Sequence, residues 1–333
     1  MNILLASDAW PPQVNGVVRT MLAVMRELET LGHRVVAVTP ERFRTVACPF
    51  YPEIRLAINP LRTVGRLIEE LAPDAIHIVT EGPIGLATRR WCLREGAQFT
   101  TAYHTRFPEY LAMRHLVPRG LTYGLLRRFH APSRGVMVAT DSVRAELAAR
   151  GFGNLVPWSR GVDTAHFDPN LRADMQGMKR PIFLSVGRVA REKNLPAFLG
   201  LDLPGSKVVV GEGPALAALR RRFPDVHFLG GRDNGVLAQL YASADVFVFP
   251  SRTDTFGLVM LEALASGLPV AAYPVPGPID LLAGSGAGAL DDDLGKAARA
   301  ALDVSRERCR EHALSFSWRR CAEQFLDRLH PVR

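Results

Sequence analysis

Ten short apolar runs, arranged in two series with helical stretches between them, constrain this chain more than any other feature. The first series is Ile3 to Ala6, Val35 to Thr39, Ala75 to Val79, Phe99 to Tyr103 and Val136 to Ala139. Runs this short and this apolar suit strands buried on both faces of a parallel sheet. Between them, Val18 to Leu31 and Leu61 to Leu71 carry apolar residues at helical spacing. The first half of the chain therefore predicts a doubly wound α/β domain. A second series, Ile182 to Val186, Lys207 to Gly211, Val226 to Leu229, Asp245 to Phe249 and Pro269 to Tyr273, predicts another of the same kind. The 333 residues and 47% hydrophobic content allow two cores, since one core rarely grows past about 250–300 residues. The expected linker is Gly161 to Lys179, which holds Pro169 and Asn170 and lacks clear periodicity. Domains are expected at 1–165 and 166–315, with a final helix in 316–333. Ligands of such sheets bind beyond the carboxyl ends of the strands, so two of them facing across a cleft would place a site there.

Several classes are excluded or narrowed. No apolar run approaches the roughly 18–20 residues that span a bilayer, and Met1 to Asp8 lacks the form of a signal peptide. A cytoplasmic location, or one on the cytoplasmic face of a membrane, is expected. Cys48, Cys92, Cys309 and Cys321 show no C-x-x-C spacing, which predicts reduced structural thiols rather than zinc or disulfides. The formal charge is +8, yet only four of the 41 basic residues are lysines, Lys179, Lys193, Lys207 and Lys296. Charge placement says more than the total, and no nucleic-acid partner is expected. From Tyr110 to Thr140 there is no acid, while Arg114, Arg119, Arg127, Arg128 and Arg134 alternate with apolar residues that include Leu111, Met113, Leu116, Val117, Leu121, Leu125, Leu126 and Phe129. Two readings of 110–134 stand side by side. Either it lies on an anionic membrane, or Leu125, Leu126 and Phe129 face the core with the arginines in water.

The chemistry concentrates in Asp245 to Tyr273. Val246 to Phe249 reads as a buried strand, and Gly257 to Ser266 as a helix closed by Gly267-Leu268-Pro269. Thr253, Asp254 and Thr255 sit at the helix start, where amide N–H groups and the helix dipole favour a phosphate. Glu262 lies about a turn and a half further in.

These residues resemble the donor-site signature of retaining glycosyltransferases of the GT-B fold, glycosyltransferase family 4, closest to its bacterial GDP-mannose-dependent mannosyltransferase and diacylglycerol glycosyltransferase branch. The resemblance implies that Glu262 holds the ribose of a nucleotide-sugar and that Asp254 contacts the transferred sugar. Asp254 stands where the family has Glu, one methylene longer. Phe256, Gly257 and Leu258 fall in the same donor-binding loop. The resemblance also implies two Rossmann-like domains facing across a cleft, and a C-terminal helix that crosses back to the first.

Three further groups of residues match the family. Trp10 to Val18 is a turn-rich loop leading into a helix, in which Gly16 lets the backbone approach an anion; in the family it lies against the donor diphosphate. It is no G-x-G-x-x-G fingerprint, so a dinucleotide dehydrogenase is not indicated. Arg188 and Lys193, five positions apart after the first strand of the second series, match the family's phosphate-binding pair; Arg191 reads as a surface charge. His104, after a strand of the first series, matches the active-site histidine, and Gly211 belongs to a loop lining the nucleotide. Arg106 and Glu109 are candidates for acceptor contacts.

The resemblance implies transfer of a hexose from GDP-mannose, UDP-glucose or UDP-glucuronate to an acceptor hydroxyl, with retention and without a metal or cofactor. Asp291 to Asp293 is an acid run in a Gly-rich turn far from these loops. The expected acceptor is a membrane lipid such as diacylglycerol, with a soluble glycan or polysaccharide as the alternative. A sugar-nucleotide epimerase of the same fold and a non-catalytic nucleotide-sugar sensor remain open from the residues alone.

Overall fold

The computed structural model describes residues 1–49, 51–113 and 117–333, which divide into two compact units, Met1–Arg160 with Trp318–Arg333 and Gly161–Ser317. The first unit contains β1 (Asn2–Ala6), β2 (Arg34–Val38), β3 (Thr45–Cys48), β4 (Tyr51–Ala57), β5 (Ala75–Ile78), β6 (Thr100–Tyr103), β7 (Val136–Val138) and β8 (Leu155–Pro157). Six of them form a parallel sheet in the order β2-β1-β5-β6-β7-β8, while β3 and β4 pair as an antiparallel hairpin. Side chains of β1 alternate between the two faces. Leu4 and Ala6 pack with Val64, Ile68 and Trp91, whereas Ile3 and Leu5 pack with Met21, Val24 and Phe325. Each such Leu, Ile, Val, Met or Phe side chain contributes about 1.5–3 kcal/mol when fully buried.

The closing helix Trp318–Asp327 belongs to the first unit and buries Cys321, Ala322 and Phe325 there. Trp158 Nε1 donates to the Cys321 carbonyl at 3.0 Å, and Gln324 Oε1 accepts from the Ser159 amide at 2.9 Å. Beyond the helix, Val332 is hydrogen-bonded through its backbone to Asp74 and Gln98.

The second unit contains β9 (Ile182–Val186), β10 (Ser206–Val210), β11 (His227–Gly230), β12 (Val246–Phe249), β13 (Val270–Ala272) and β14 (Gly288–Leu290). They form one parallel sheet in the order β11-β10-β9-β12-β13-β14. Counted within the unit this is 3-2-1-4-5-6, whose switch point falls between β9 and β12. Phe183, Val209, Val246, Val248 and Ala271 pack with Phe198, Leu199, Ala297 and Ala298 in its core. Residues 161–179, expected as a linker, are attached to this unit. The Arg310 guanidinium donates to the carbonyls of Thr164 and Phe167 at 2.7 and 2.6 Å, and Ser243 Oγ accepts from the Ala173 amide.

All ten apolar runs contain a strand, with ends shifted by a residue or so. The hairpin β3–β4 and the edge strands β8 and β14 were not expected. β8 and β14 have three residues each and no fully buried one, so no apolar run marks them. Among the described residues no helix is long and apolar enough to cross a membrane.

Candidate active site

At the switch point of the second unit, two loops are laced together. The loop after β9 ends in a single 3-10 turn, Arg191–Lys193, and the loop after β12 leads to helix Leu258–Ala265. Asn194 Nδ2 donates to the Pro250 carbonyl at 3.1 Å. Ser251 Oγ and Thr253 Oγ1 both donate to the Glu192 carbonyl, at 3.4 and 3.3 Å. Lys193 Nζ donates to Asp254 Oδ1 at 2.5 Å. Four side-chain bonds thus fix a cation and an acid from opposite sides of the switch point. The enclosed Asp254 Oδ2 has no hydrogen-bond partner among the described residues. Asp254 was expected to face the transferred sugar; in the structure one of its oxygens belongs to Lys193.

Helix Leu258–Ala265 starts at this place with Gly257 as its N-cap and no side-chain cap. Gly257 has φ 87°, and a Cβ there would stand 2.8 Å from Met260 Cε and 2.9 Å from Phe249 Cζ, so the turn requires glycine. Phe256 is buried beneath the loop, and Leu258 is half-buried on the first turn. One turn on, Glu262 is buried and accepts a hydrogen bond at 3.0 Å from the Tyr241 hydroxyl, itself wholly buried. Arg188 is half-buried on the loop after β9 and Arg191 is exposed.

Gly211, after β10, has φ 138°, and its Cβ would lie 1.9 Å from the Gly187 carbonyl oxygen. Glycine there lets two loops touch. Its amide donates to the Gly230 carbonyl at 2.8 Å. The acid run Asp291 to Asp293 is accounted for by a helix start and an ion pair. Asp293 caps Leu294–Ala300, and Asp291 pairs with Lys296 at 2.7 Å.

In the first unit, Gly16 opens helix Gly16–Thr30, whose cap is Asn15; its Oδ1 accepts from the Val18 amide at 3.0 Å. His104 follows β6. Arg160 Nη2 donates to its Nδ1 at 3.4 Å, and its ring stands edge-on to Trp158. Arginine only donates, so Nδ1 accepts and Nε2 carries the ring proton. Burial holds His104 well below the ordinary histidine range, and the nearby Arg160, His77 and His130 push the same way. Arg160 is itself buried, donating to the Trp158 and Ser159 carbonyls and stacking over the Trp158 ring; burial lowers it to about 10.

Arg106 and Glu109, candidates for acceptor contacts, are engaged internally: Arg106 with Glu146, and Glu109 with the Tyr123 hydroxyl at 2.8 Å. Arg114 and Leu116 of the basic segment lie outside the described residues. The rest of the segment divides. Leu126 and Phe129 are buried, while Leu121 and Leu125 are 58% and 60% exposed, beside exposed Arg119, Arg127 and Arg128. The core-facing reading therefore holds for Leu126 and Phe129 and fails for Leu125.

Sequence reasoning missed Tyr241, Arg160 and Ser251. Tyr241 and Arg160 carried no signal, because a tyrosine on an apolar helix face reads as core and one arginine among many reads as surface. Ser251 stood in the loop already singled out.

Residues 14–166 match the family model described as Glycosyltransferase Family 4, and residues 180–306 the model described as Glycosyl transferases group 1. The chain is 28% identical over 309 residues to a GDP-mannose-dependent alpha-mannosyltransferase of Mycobacterium tuberculosis, covering 85% of this chain and 81% of that protein. It is also 28% identical over 377 residues to an alpha-monoglucosyldiacylglycerol synthase of Streptococcus pneumoniae, covering 99% and 85%. Among solved structures, sucrose-phosphate synthase from Thermosynechococcus elongatus superposes with a TM-score of 0.77 at 21% identity, over 98% of this chain and 97% of that one. The chain belongs to glycosyltransferase family 4, with two Rossmann-like units of the GT-B fold class. It is a transferase that moves a glycosyl group.

Proposed function

We propose that this enzyme takes a hexose from a nucleoside diphosphate sugar, GDP-mannose or a UDP-hexose, and attaches it with retention to the hydroxyl of a membrane lipid such as diacylglycerol. The observation that carries the donor half of this reading is the laced pair Lys193–Asp254 beside the uncapped start of helix Leu258–Ala265. A helix start with a lysine held beside it suits a diphosphate. Phe256, Gly257 and Leu258 form the backbone wall, Gly211 the neighbouring loop, and Glu262 takes the ribose hydroxyls. In the reaction, the bond from the sugar's anomeric carbon to the diphosphate oxygen breaks and a bond to the acceptor oxygen forms on the same face. The acceptor proton passes to the departing phosphate oxygen. Arg188 and Lys193 stabilise the charge that develops there, so no metal is needed. A diphosphate can compete for Lys193, leaving Asp254 to the sugar hydroxyls. By the family's pattern, neutral His104 is assigned to the sugar and Gly16 to the phosphates.

The acceptor half rests on the surface of the first unit. Exposed Leu121 and Leu125 stand one turn apart on helix Arg119–His130. Helix Pro83–Glu95 lies against it, since Arg89 donates to the carbonyls of Arg128 and Phe129, and adds exposed Leu86, Arg90 and Leu93. Apolar side chains ringed by arginine suit the headgroup region of an anionic membrane, which would make the enzyme peripheral on the inner face of the cytoplasmic membrane. Purified protein incubated with a panel of sugar nucleotides and total membrane lipid should give a new glycolipid by mass spectrometry, with or without a chelator. Sugar delivered only to soluble glycan would refute the lipid acceptor, and a donor epimerised without acceptor would refute transfer.

A further inference from the structure

Glu262 does not stand alone in the second unit. Helix Asn234–Ser243 leads into β12, and its Tyr241 is wholly buried. A buried phenol needs a partner for its hydroxyl. That partner is Oε2 of Glu262, at 3.0 Å, across 21 residues of chain. The tyrosine ring is held from two sides, edge-on by Phe167 at 5.7 Å and tilted against Phe247 at 5.6 Å. Phe247 lies within β12, and Phe167 is anchored through its carbonyl by Arg310. With the ring fixed, the position of its hydroxyl oxygen is fixed too. A glutamate has three side-chain torsions, and ordering it costs up to about 2 kcal/mol of rotamer freedom. A binding group whose torsions are set before the ligand arrives avoids that loss on binding.

We propose that Tyr241 is the positioning residue for recognition of the nucleotide ribose: it ties down one oxygen of the Glu262 carboxylate and thereby aims the other at the vicinal ribose hydroxyls. This deepens the donor reading above and rests on its assignment of Glu262 to the ribose. Hydrogen bonds to a charged acceptor are the strong ones, so loss of this one loosens the carboxylate. The base and the diphosphate do not depend on it.

Binding of GDP, UDP and their 2′,3′-dideoxy counterparts can be measured by titration calorimetry on wild type and Tyr241→Phe. Phenylalanine keeps the ring and its contacts with Phe167 and Phe247, and far-ultraviolet circular dichroism checks that the fold is retained. For whichever base binds, the ribonucleotide should weaken about tenfold in Tyr241→Phe, the scale of one charge-assisted hydrogen bond. The dideoxynucleotide should stay within about twofold, because it offers Glu262 nothing to hold. Equal weakening of both nucleotides would mean that Tyr241 only shapes the pocket, and no weakening of either would mean that Glu262 needs no positioning; each overturns the proposal. If wild type binds the ribo and dideoxy forms equally well, the assignment of Glu262 to the ribose fails first, and the proposal with it.

Discussion

The two units share an architecture but treat their switch points in opposite ways. In the first unit the strand order turns between β1 and β5, and Asp8 lies just past the end of β1. Its carboxylate accepts from the amides of Ile84 and Gly85, at 2.9 and 3.3 Å, and from Thr80 Oγ1. The start of helix Pro83–Glu95 is therefore occupied by the protein's own anion. Gly82 is tailored to it, since a Cβ there would stand 2.4 Å from the Asp8 carboxyl carbon. Burial raises Asp8 above the usual carboxylate range, against the pull of its hydrogen bonds. In the second unit the corresponding place holds a lysine paired with an acid, ahead of helix Leu258–Ala265. The two switch points thus differ in what the loop after the first strand carries: an acid on the helix amides in one unit, a lysine on an acid in the other. In the second unit the acid pairs with a cation, and on the donor reading proposed above a diphosphate would compete with it for that cation.

The largest effect should follow from removing that cation. Lys193→Ala is expected to lower transfer by about 10²–10³-fold, the scale seen when one group that stabilises developing charge is lost. Steady-state kinetics measures this, and near-native turnover would break the contrast between the switch points. All four tryptophans, Trp10, Trp91, Trp158 and Trp318, lie in the first unit, so tryptophan fluorescence reports on that unit alone. Asp8→Ala leaves two amides and a hydroxyl without their acceptor and should destabilise the first unit by about 3 kcal/mol. A tryptophan-detected denaturation curve unchanged by this substitution would show that Asp8 does not seal the helix start.

Acid should also act on the first unit through its histidines. Burial, aided by Arg160, lowers His77 to about 3 from the ordinary 6.5, and His104 is lowered as well. Below pH 6.5 the unfolded chain binds protons that these rings refuse, so stability falls as pH falls, by about 1.4 kcal/mol per pH unit for each ring. The loss continues down to the folded value. His77→Asn should reduce the slope of the tryptophan-detected stability by about half a proton at pH 6.5, rising to about one at pH 5; an unaltered slope would show that His77 is not held neutral. The smallest effect is expected at the surface. Leu121→Glu with Leu125→Glu should weaken sedimentation with anionic vesicles several-fold without moving the affinity for nucleoside diphosphate, and unchanged sedimentation would remove these leucines from membrane contact.

Much of the fold was legible because strands buried on both faces must be apolar, and all ten runs contain one. β8, β14 and the β3–β4 hairpin escaped because half-buried edge strands and hairpins need not be apolar. The candidate site was legible where its residues are contiguous. Asp254 to Glu262 is one stretch, and Lys193 stands out in a chain with four lysines. What could not be read were pairings set by strand order. Lys193 meets Asp254 across 61 residues because β9 lies beside β12, and Arg160 meets His104 across 56. Neither partner carries a local mark of the other. The position of Asp8 was invisible for the same reason, since an acid after a strand looks equally like a ligand or a cap until the facing helix is known.

The most direct test is nucleoside diphosphate binding by titration calorimetry, comparing wild type with Lys193→Ala and with Arg90→Ala, a surface arginine of the first unit. One GDP or UDP should bind per chain, at least about tenfold more weakly in Lys193→Ala and with unchanged affinity in Arg90→Ala. A nucleotide that binds Lys193→Ala as tightly as wild type would place the donor elsewhere and contradict the assignment of the second switch point.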